Sequence, residues 1–217
     1  MRTWLVTGAS SGIGEAIARE LLNRGDSVVG VSRTRSPVTA DKFRWYEYDL
    51  SSHQSCIELL EAWKGPNWQF NGMVAAGGMN DRQNSQRESV SMLDHFQVNC
   101  LGHVRLFEKA LPYYFREDTT VLVVSSYLAK AGSAEYPAYS MSKAALELYF
   151  RSKSRLDPIT YNVLYPGRVA TKGNPRRMLS ADDPNTFKEP CEVAPVAVWM
   201  LDQGLRGMTG QTIDLGR

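Results

Sequence analysis

The chain has 217 residues, 43% of them hydrophobic and 22% charged, with a formal net charge of +2. These values suit one soluble domain over residues 1–217 with a single large core, and they speak against a nucleic-acid partner or a polybasic membrane surface. Cys56, Cys100 and Cys191 form neither a CxxC pair nor a zinc spacing, the Met1–Gly8 start is too short for a signal peptide, and no apolar run reaches a membrane span; a cytoplasmic protein without a metal is expected.

Thr3–Thr7 predicts a strand, and Gly12–Arg24 a helix whose Ile13, Ala16, Ile17, Leu21 and Leu22 recur at helical spacing. Strands are predicted over Ser27–Ser32 and Phe43–Tyr48, then a helix over Ser52–Lys64 and a strand over Gly72–Ala75. A long helix, Ser91–Phe115, is expected to kink or stop near Leu111-Pro112. Strand Thr119–Ser125, helix Ala138–Leu156, strand Ile159–Tyr165, helix Cys191–Gln203 and strand Gln211–Asp214 complete the series. Gly78–Glu88 and Arg168–Glu189 read as loops, the second long enough to act as a lid. Such alternation predicts an α/β, Rossmann-type doubly wound fold: a mostly parallel seven-stranded sheet with helices on both faces.

The first strand runs directly into Thr7-Gly8-Ala9-Ser10-Ser11-Gly12-Ile13-Gly14 and then a helix. A strand-to-helix turn there presents free backbone N–H groups and the positive helix end, both of which attract a pyrophosphate. Gly8 permits the turn, Gly12 lets backbone approach phosphate, and Gly14 lets helix and strand come close. The plain alternative is a Gly/Ser-rich loop without a ligand. The second strand ends at Ser32-Arg33, where NAD-preferring folds place a carboxylate. A carboxylate would repel a 2′-phosphate and an arginine can clamp one, so NADP(H) is expected; the alternative is that Arg33 and Arg35 are solvated loop charges.

Tyr139-Ser140-Met141-Ser142-Lys143 is a Y-x-x-x-K pair on one helix face. A phenol is a weak acid at neutral pH, and a neighbouring ammonium lowers its pKa toward a working value, which makes Tyr139 a candidate proton donor. Alone the pair is weak, because such pairs arise by chance. Ser125-Ser126 closes the apolar run Val121–Val124, which puts a hydroxyl at the carboxyl end of a central strand, although many strand-end serines do nothing.

With its G-x-x-x-G-x-G turn and Ser126 thirteen residues before Tyr139, the sequence resembles the short-chain dehydrogenase/reductase family, NADP-preferring type, over Thr7 to Gln211. The resemblance implies reversible hydride transfer between NADP(H) and a carbonyl or alcohol, with catalysis by Ser126, Tyr139 and Lys143. It gives Ser126 the substrate oxygen, Lys143 the nicotinamide ribose, and Asn99 a water that supplies protons. It implies cofactor contacts from Gly8, Ser10, Ser11, Gly12, Ile13, Gly14, Ser32 and Arg33, and from Asp49 and Leu50 at the adenine edge. Ala76 and Gly77 would contribute backbone, and Pro166, Gly167, Val169 and Thr171 would orient the carboxamide. Asp49 or Ser51 could equally cap the helix starting near Ser52. Arg176-Arg177 could grip an anionic substrate, with a solvated pair the favoured alternative.

Three features depart from the family pattern. Ala75-Ala76-Gly77-Gly78 stands where Asn-Asn-Ala-Gly is usual, and the first asparagine normally ties adjacent strands. The stretch from Lys143 to Pro166 is short, and so is the segment after the seventh strand, which would leave one pocket wall open or to a second subunit. Met79, Tyr127, Leu128 and Tyr136 are expected to line an apolar substrate pocket of unreadable specificity. A homo-oligomer, dimer or tetramer, is implied by the family. The competing readings are a catalytically silent NADP(H)-binding regulator of the same fold and a nucleic-acid-binding domain.

Overall fold

The structure is a computed structural model that describes residues 1–80, 91–171 and 187–216. Its strands are β1 (Thr3–Thr7), β2 (Ser27–Ser32), β3 (Phe43–Glu47), β4 (Phe70–Ala75), β5 (Phe115–Val124), β6 (Thr160–Tyr165) and β7 (Thr212–Asp214). They form one sheet in the order β3-β2-β1-β4-β5-β6-β7, every pair parallel. The helices are α1 (Gly12–Asn23), α2 (His53–Trp63), α3 (Met92–Phe96), α4 (Gly102–Tyr114), α5 (Tyr127–Ala131), α6 (Pro137–Lys153) and α7 (Pro190–Gly204). This is the expected Rossmann-type α/β fold.

Alternation along the strands sorts the core into two layers. Leu5, Val29, Val121 and Val123 face α2, α4 and α6, where Leu59, Trp63, Phe107 and Phe150 pack. Their neighbours Trp4, Val6, Val28, Leu122 and Val124 face α1 and α7, against Ile17, Leu21, Val193 and Leu201. Side chains along a strand point to opposite faces, so a strand apolar at every position needs helices on both sides.

Three elements differ from expectation. The long helix is not uniform: α3 passes through a π-helical turn, Gln97–Leu101, into α4, which runs through Pro112 to Tyr114 and directly into β5. Strand β5 therefore starts earlier than its apolar run, because Phe115 pairs with Phe70 ahead of an irregularity in the register. The five-residue α5 is too short to leave a periodic signal. The two ends of the 168–189 loop that are described pair as a short parallel bridge, Val169 with Lys188.

The order of the strands fixes where a ligand fits. From β1 the sheet grows through β2 to β3 on one side and through β4 to β7 on the other. Connections leave in opposite directions at β1 and β4, which opens a crevice at their carboxyl ends.

Candidate active site

A cleft of about 420 Å³ occupies that crevice. Its floor is the turn after β1, and it gathers residues from the carboxyl ends of β2, β4, β5 and β6. Gly8 has φ +70°, and a Cβ there would stand 2.7 Å from the Gly77 Cα, so the turn can press against the end of β4 only with glycine. A Cβ on Gly14 would run into the Gly8 carbonyl, which is how α1 starts tight against the strand.

The N-terminus of α1 is unlike those of α2 and α3. Ser52 caps α2 by accepting from Ser55 N at 3.0 Å, and Ser91 completes a capping box on α3. Ser11, at the head of α1, makes no capping bond. The first N–H groups of a helix need acceptors, and here Ser11, Gly12, Ile13 and Gly14 line the cleft. A phosphate supplies the missing acceptors, so the turn fits a dinucleotide.

Ser32, Arg33 and Thr34 line the cleft at the end of β2. The Ser32 hydroxyl is held from both sides: it donates to Thr34 O at 2.8 Å and accepts from Trp45 Nε1 at 2.9 Å. Arg33 is exposed. Asp49 and Leu50 also reach the cleft. Asp49 Oδ1 accepts from Ser51 N at 2.9 Å and from Ser51 Oγ at 2.7 Å, so neither residue caps α2; Ser52 does.

The departure at Ala75-Ala76-Gly77-Gly78 is met by a residue the sequence did not advertise. Thr7 Oγ1 accepts from Ala76 N and Gly77 N, each at 3.0 Å. The buried His103 bonds Gly77 O through Nε2 at 2.9 Å and lies 3.3 Å from Thr7 Oγ1 through Nδ1. An imidazole from α4 thereby ties β1 to the end of β4. Burial holds its pKa down to about 3, with the Lys143 charge adding to the effect. His103 stays neutral at working pH, donating through one nitrogen and accepting through the other. The one clue in the sequence is its place, four residues after Asn99.

Asn99 sits in the π-helical turn, buried, with every polar atom used. Its Oδ1 accepts from Met79 N at 2.8 Å, and its Nδ2 donates to Met79 O and Ser142 Oγ, both at 3.0 Å. Ser142 in turn donates to Tyr139 O at 2.8 Å. Asn99 does not itself line the cleft; it fastens α6 to the β4 loop.

Ser126, Tyr139 and Lys143 all line the same cleft as the glycine turn. Ser126 caps α5, accepting from Leu128 N at 3.2 Å. Burial pushes the Tyr139 phenol up from its ordinary value and Ser126 draws it part of the way back. The buried Lys143 ammonium donates to Val124 O at 3.0 Å. Desolvation lowers Lys143 to about 8, against the opposing charges of Glu147 and Cys100.

Pro166, Gly167, Val169 and Thr171 close the far side. Thr171 lies over the turn: a Cβ on Gly12 would be 3.0 Å from its Cγ2. Every residue expected to contact the cofactor therefore borders this one cleft. Of the expected substrate-pocket residues, Met79 lines it and Tyr127, Leu128 and Tyr136 do not. Arg176 and Arg177 fall outside the described residues.

No helix among the described residues is long and apolar enough to cross a membrane. Residues 2–179 match the short chain dehydrogenase family. The uncharacterized oxidoreductase YciK of Escherichia coli is 25% identical, covering 98% of this chain and 91% of its own. A benzil reductase ((S)-benzoin forming) of Bacillus subtilis is 28% identical over 70% of this chain and 66% of its own. Among solved structures, a short-chain dehydrogenase/reductase from Burkholderia multivorans with bound NADP superposes with a TM-score of 0.79 at 27% identity, covering 100% of this chain and 98% of that one.

Proposed function

The chain belongs to the short chain dehydrogenase family and is an oxidoreductase of that kind, and from this we propose that it is an NADP(H)-dependent enzyme reducing a carbonyl to an alcohol, or running the reverse, by Tyr139, Lys143 and Ser126. The observation that carries the reading is the meeting of an uncapped helix terminus with Ser126, Tyr139 and Lys143 in one cleft. Residues 1–217 would act as one dinucleotide-binding domain.

When bound, NADPH supplies the hydride. The N–H groups of Gly12, Ile13 and Gly14 hold the pyrophosphate, and Asp49 with the Leu50 backbone holds the adenine end. Arg33 takes the 2′-phosphate; no carboxylate stands at the end of β2 to repel it. The Burkholderia relative with bound NADP supports that preference. Backbone at Ala76 and Gly77, and Pro166 to Thr171, orient the reactive end.

Ser126 donates to the substrate oxygen and steadies the charge that develops there. Tyr139 gives that oxygen its proton. The phenol is raised by burial, so it enters the reaction protonated, as reduction requires. Lys143 moves from the Val124 carbonyl to the nicotinamide ribose, where its charge eases loss of the phenolic proton. The B. subtilis benzil reductase supports a carbonyl substrate. The same reading has the enzyme working in the cytoplasm on a small molecule, as a homo-oligomer.

The test is NADPH oxidation, followed at 340 nm as a routine readout, over a panel of ketones, diketones and aldehydes that includes benzil. Turnover with NADPH preferred to NADH supports the proposal. NADPH binding without turnover on any member would instead support the silent regulator.

A further inference from the structure

Helix α6 carries a third polar residue beyond the pair. Glu147 follows Lys143 by one turn, and residues four apart are neighbours on a helix. It is 7% exposed. A carboxylate so placed is costly unless its oxygens are satisfied. Ser125 Oγ donates to Oε1, and Tyr165 OH donates to Oε2 at 3.1 Å. Both donors are buried, Ser125 at 3% and Tyr165 at 5% exposure.

The identity of those donors gives the contact its meaning. Ser125 immediately precedes Ser126, and Tyr165 immediately precedes Pro166. One carboxylate therefore joins the ends of β5 and β6 to the helix that bears Tyr139 and Lys143. Its charge also acts on Lys143. Burial disfavours the ammonium, and Glu147 leads the two groups that favour it, ahead of Cys100.

We propose that Glu147 is a positioning residue of this enzyme: it clamps the Ser126 and Pro166 strand ends to helix α6 and sets a carboxylate one helical turn from Lys143. The proposal rests on the Tyr139–Lys143–Ser126 reading. Among the described residues, the charged and titratable groups around the clamp are few. On α6 they are Tyr139, Lys143 and Arg151; from β6 Tyr161 and Tyr165; from the π-helical turn and α4 Cys100 and His103. Lys130 on α5 and Asp214 on β7 border a second cavity that Glu147, Arg151 and Tyr165 also line. Burial raises the Glu147 pKa, and the Ser125 and Tyr165 hydroxyls, then Arg151 and Lys143, oppose that rise.

The test compares wild type with Glu147→Gln, Tyr165→Phe and Tyr139→Phe, using NADPH and the best carbonyl from the panel. Glu147→Gln keeps shape and one acceptor but loses the charge. Its kcat is expected to fall about 10- to 100-fold with KM for NADPH little changed, since a small misplacement at the reacting centre costs that much. Lys143 then loses its proton more readily, so the alkaline limb of the rate profile moves to lower pH by at least about half a unit. Tyr165→Phe leaves the charge and removes one donor, so kcat falls several-fold with the limb at its wild-type position.

A purely structural role would lower Tm and leave the limb in place. A Glu147→Gln profile that superimposes on wild type overturns the proposal, and so does full kcat in Tyr165→Phe, which carries the test if the glutamine variant does not fold. Tyr139→Phe separates the two failures. If it is inactive while Glu147→Gln behaves as wild type, the clamp alone is wrong. If it turns over normally, the reading of the site falls and the clamp with it.

Discussion

The two sides of the cleft are built on different principles. On the nucleotide side, the turn after β1 offers backbone N–H groups from an uncapped helix and side chains that are exposed or make bonds only to their own neighbourhood, such as Arg33 and Asp49. On the proposed catalytic side, Asn99, His103, Ser142, Lys143 and Glu147 are all buried and joined by side-chain hydrogen bonds across β1, β4, β5, β6, α4 and α6. Holding a phosphate takes dipoles that any backbone can supply once glycine lets it turn. Moving a proton at one atom takes side chains fixed before the substrate arrives, because their reorganisation would add to the barrier.

The largest expected effect breaks the catalytic side alone. Tyr139→Phe should lower turnover by about 10²- to 10⁴-fold, the usual contribution of a general acid, while NADPH fluorescence titration gives an unchanged Kd. If both change together, the two sides are not separable. Arg33→Ala breaks the nucleotide side alone: loss of a charge-assisted bond of about 1.5–3 kcal/mol should raise the NADPH Kd roughly 10- to 100-fold and leave that for NADH where it was.

Gly14→Ala strikes where the sides share a wall, placing a methyl group against the Gly8 carbonyl. Overpacking of this sort costs about 1–3 kcal/mol, to be seen as a lower Tm together with weaker NADPH binding. The last effect concerns His103. Its folded pKa of about 3 lies well below the unfolded value near 6.5. The unfolded chain therefore takes up a proton first as pH falls, and stability held above about pH 6.5 is lost toward pH 3. Thermal melts between pH 7 and 4 should show a shallower decline in His103→Gln than in wild type; parallel declines would remove His103 from the tie.

Much of the nucleotide side was legible because it is local. Thr7–Gly14 is one continuous turn, and the positive φ of Gly8 and Gly12 follows from steric rules for single residues. The Tyr139–Lys143 spacing was legible for the same reason. The cap of α2 lies one residue beyond Ser51 and three beyond Asp49, since Asp49, Ser51 and Ser52 are all good caps and the backbone angle decides among them. Tyr127, Leu128 and Tyr136, expected at the substrate, do not border the cleft: the first two lie in the short helix α5, which leaves no periodic signal in the sequence.

The sequence by itself determined the order of strands and helices, the glycine turn and the phenol–ammonium pair, because these depend on residue spacing within a turn or a strand. Only the tertiary structure decided that Lys143 bonds the Val124 carbonyl, that His103 replaces the strand tie missing at Ala75-Ala76, and that Glu147 joins β5 and β6 to α6. Those bonds join residues 18 to 26 positions apart in the chain. A buried polar group takes whichever partner packing brings within about 3 Å, and local spacing carries no record of that choice.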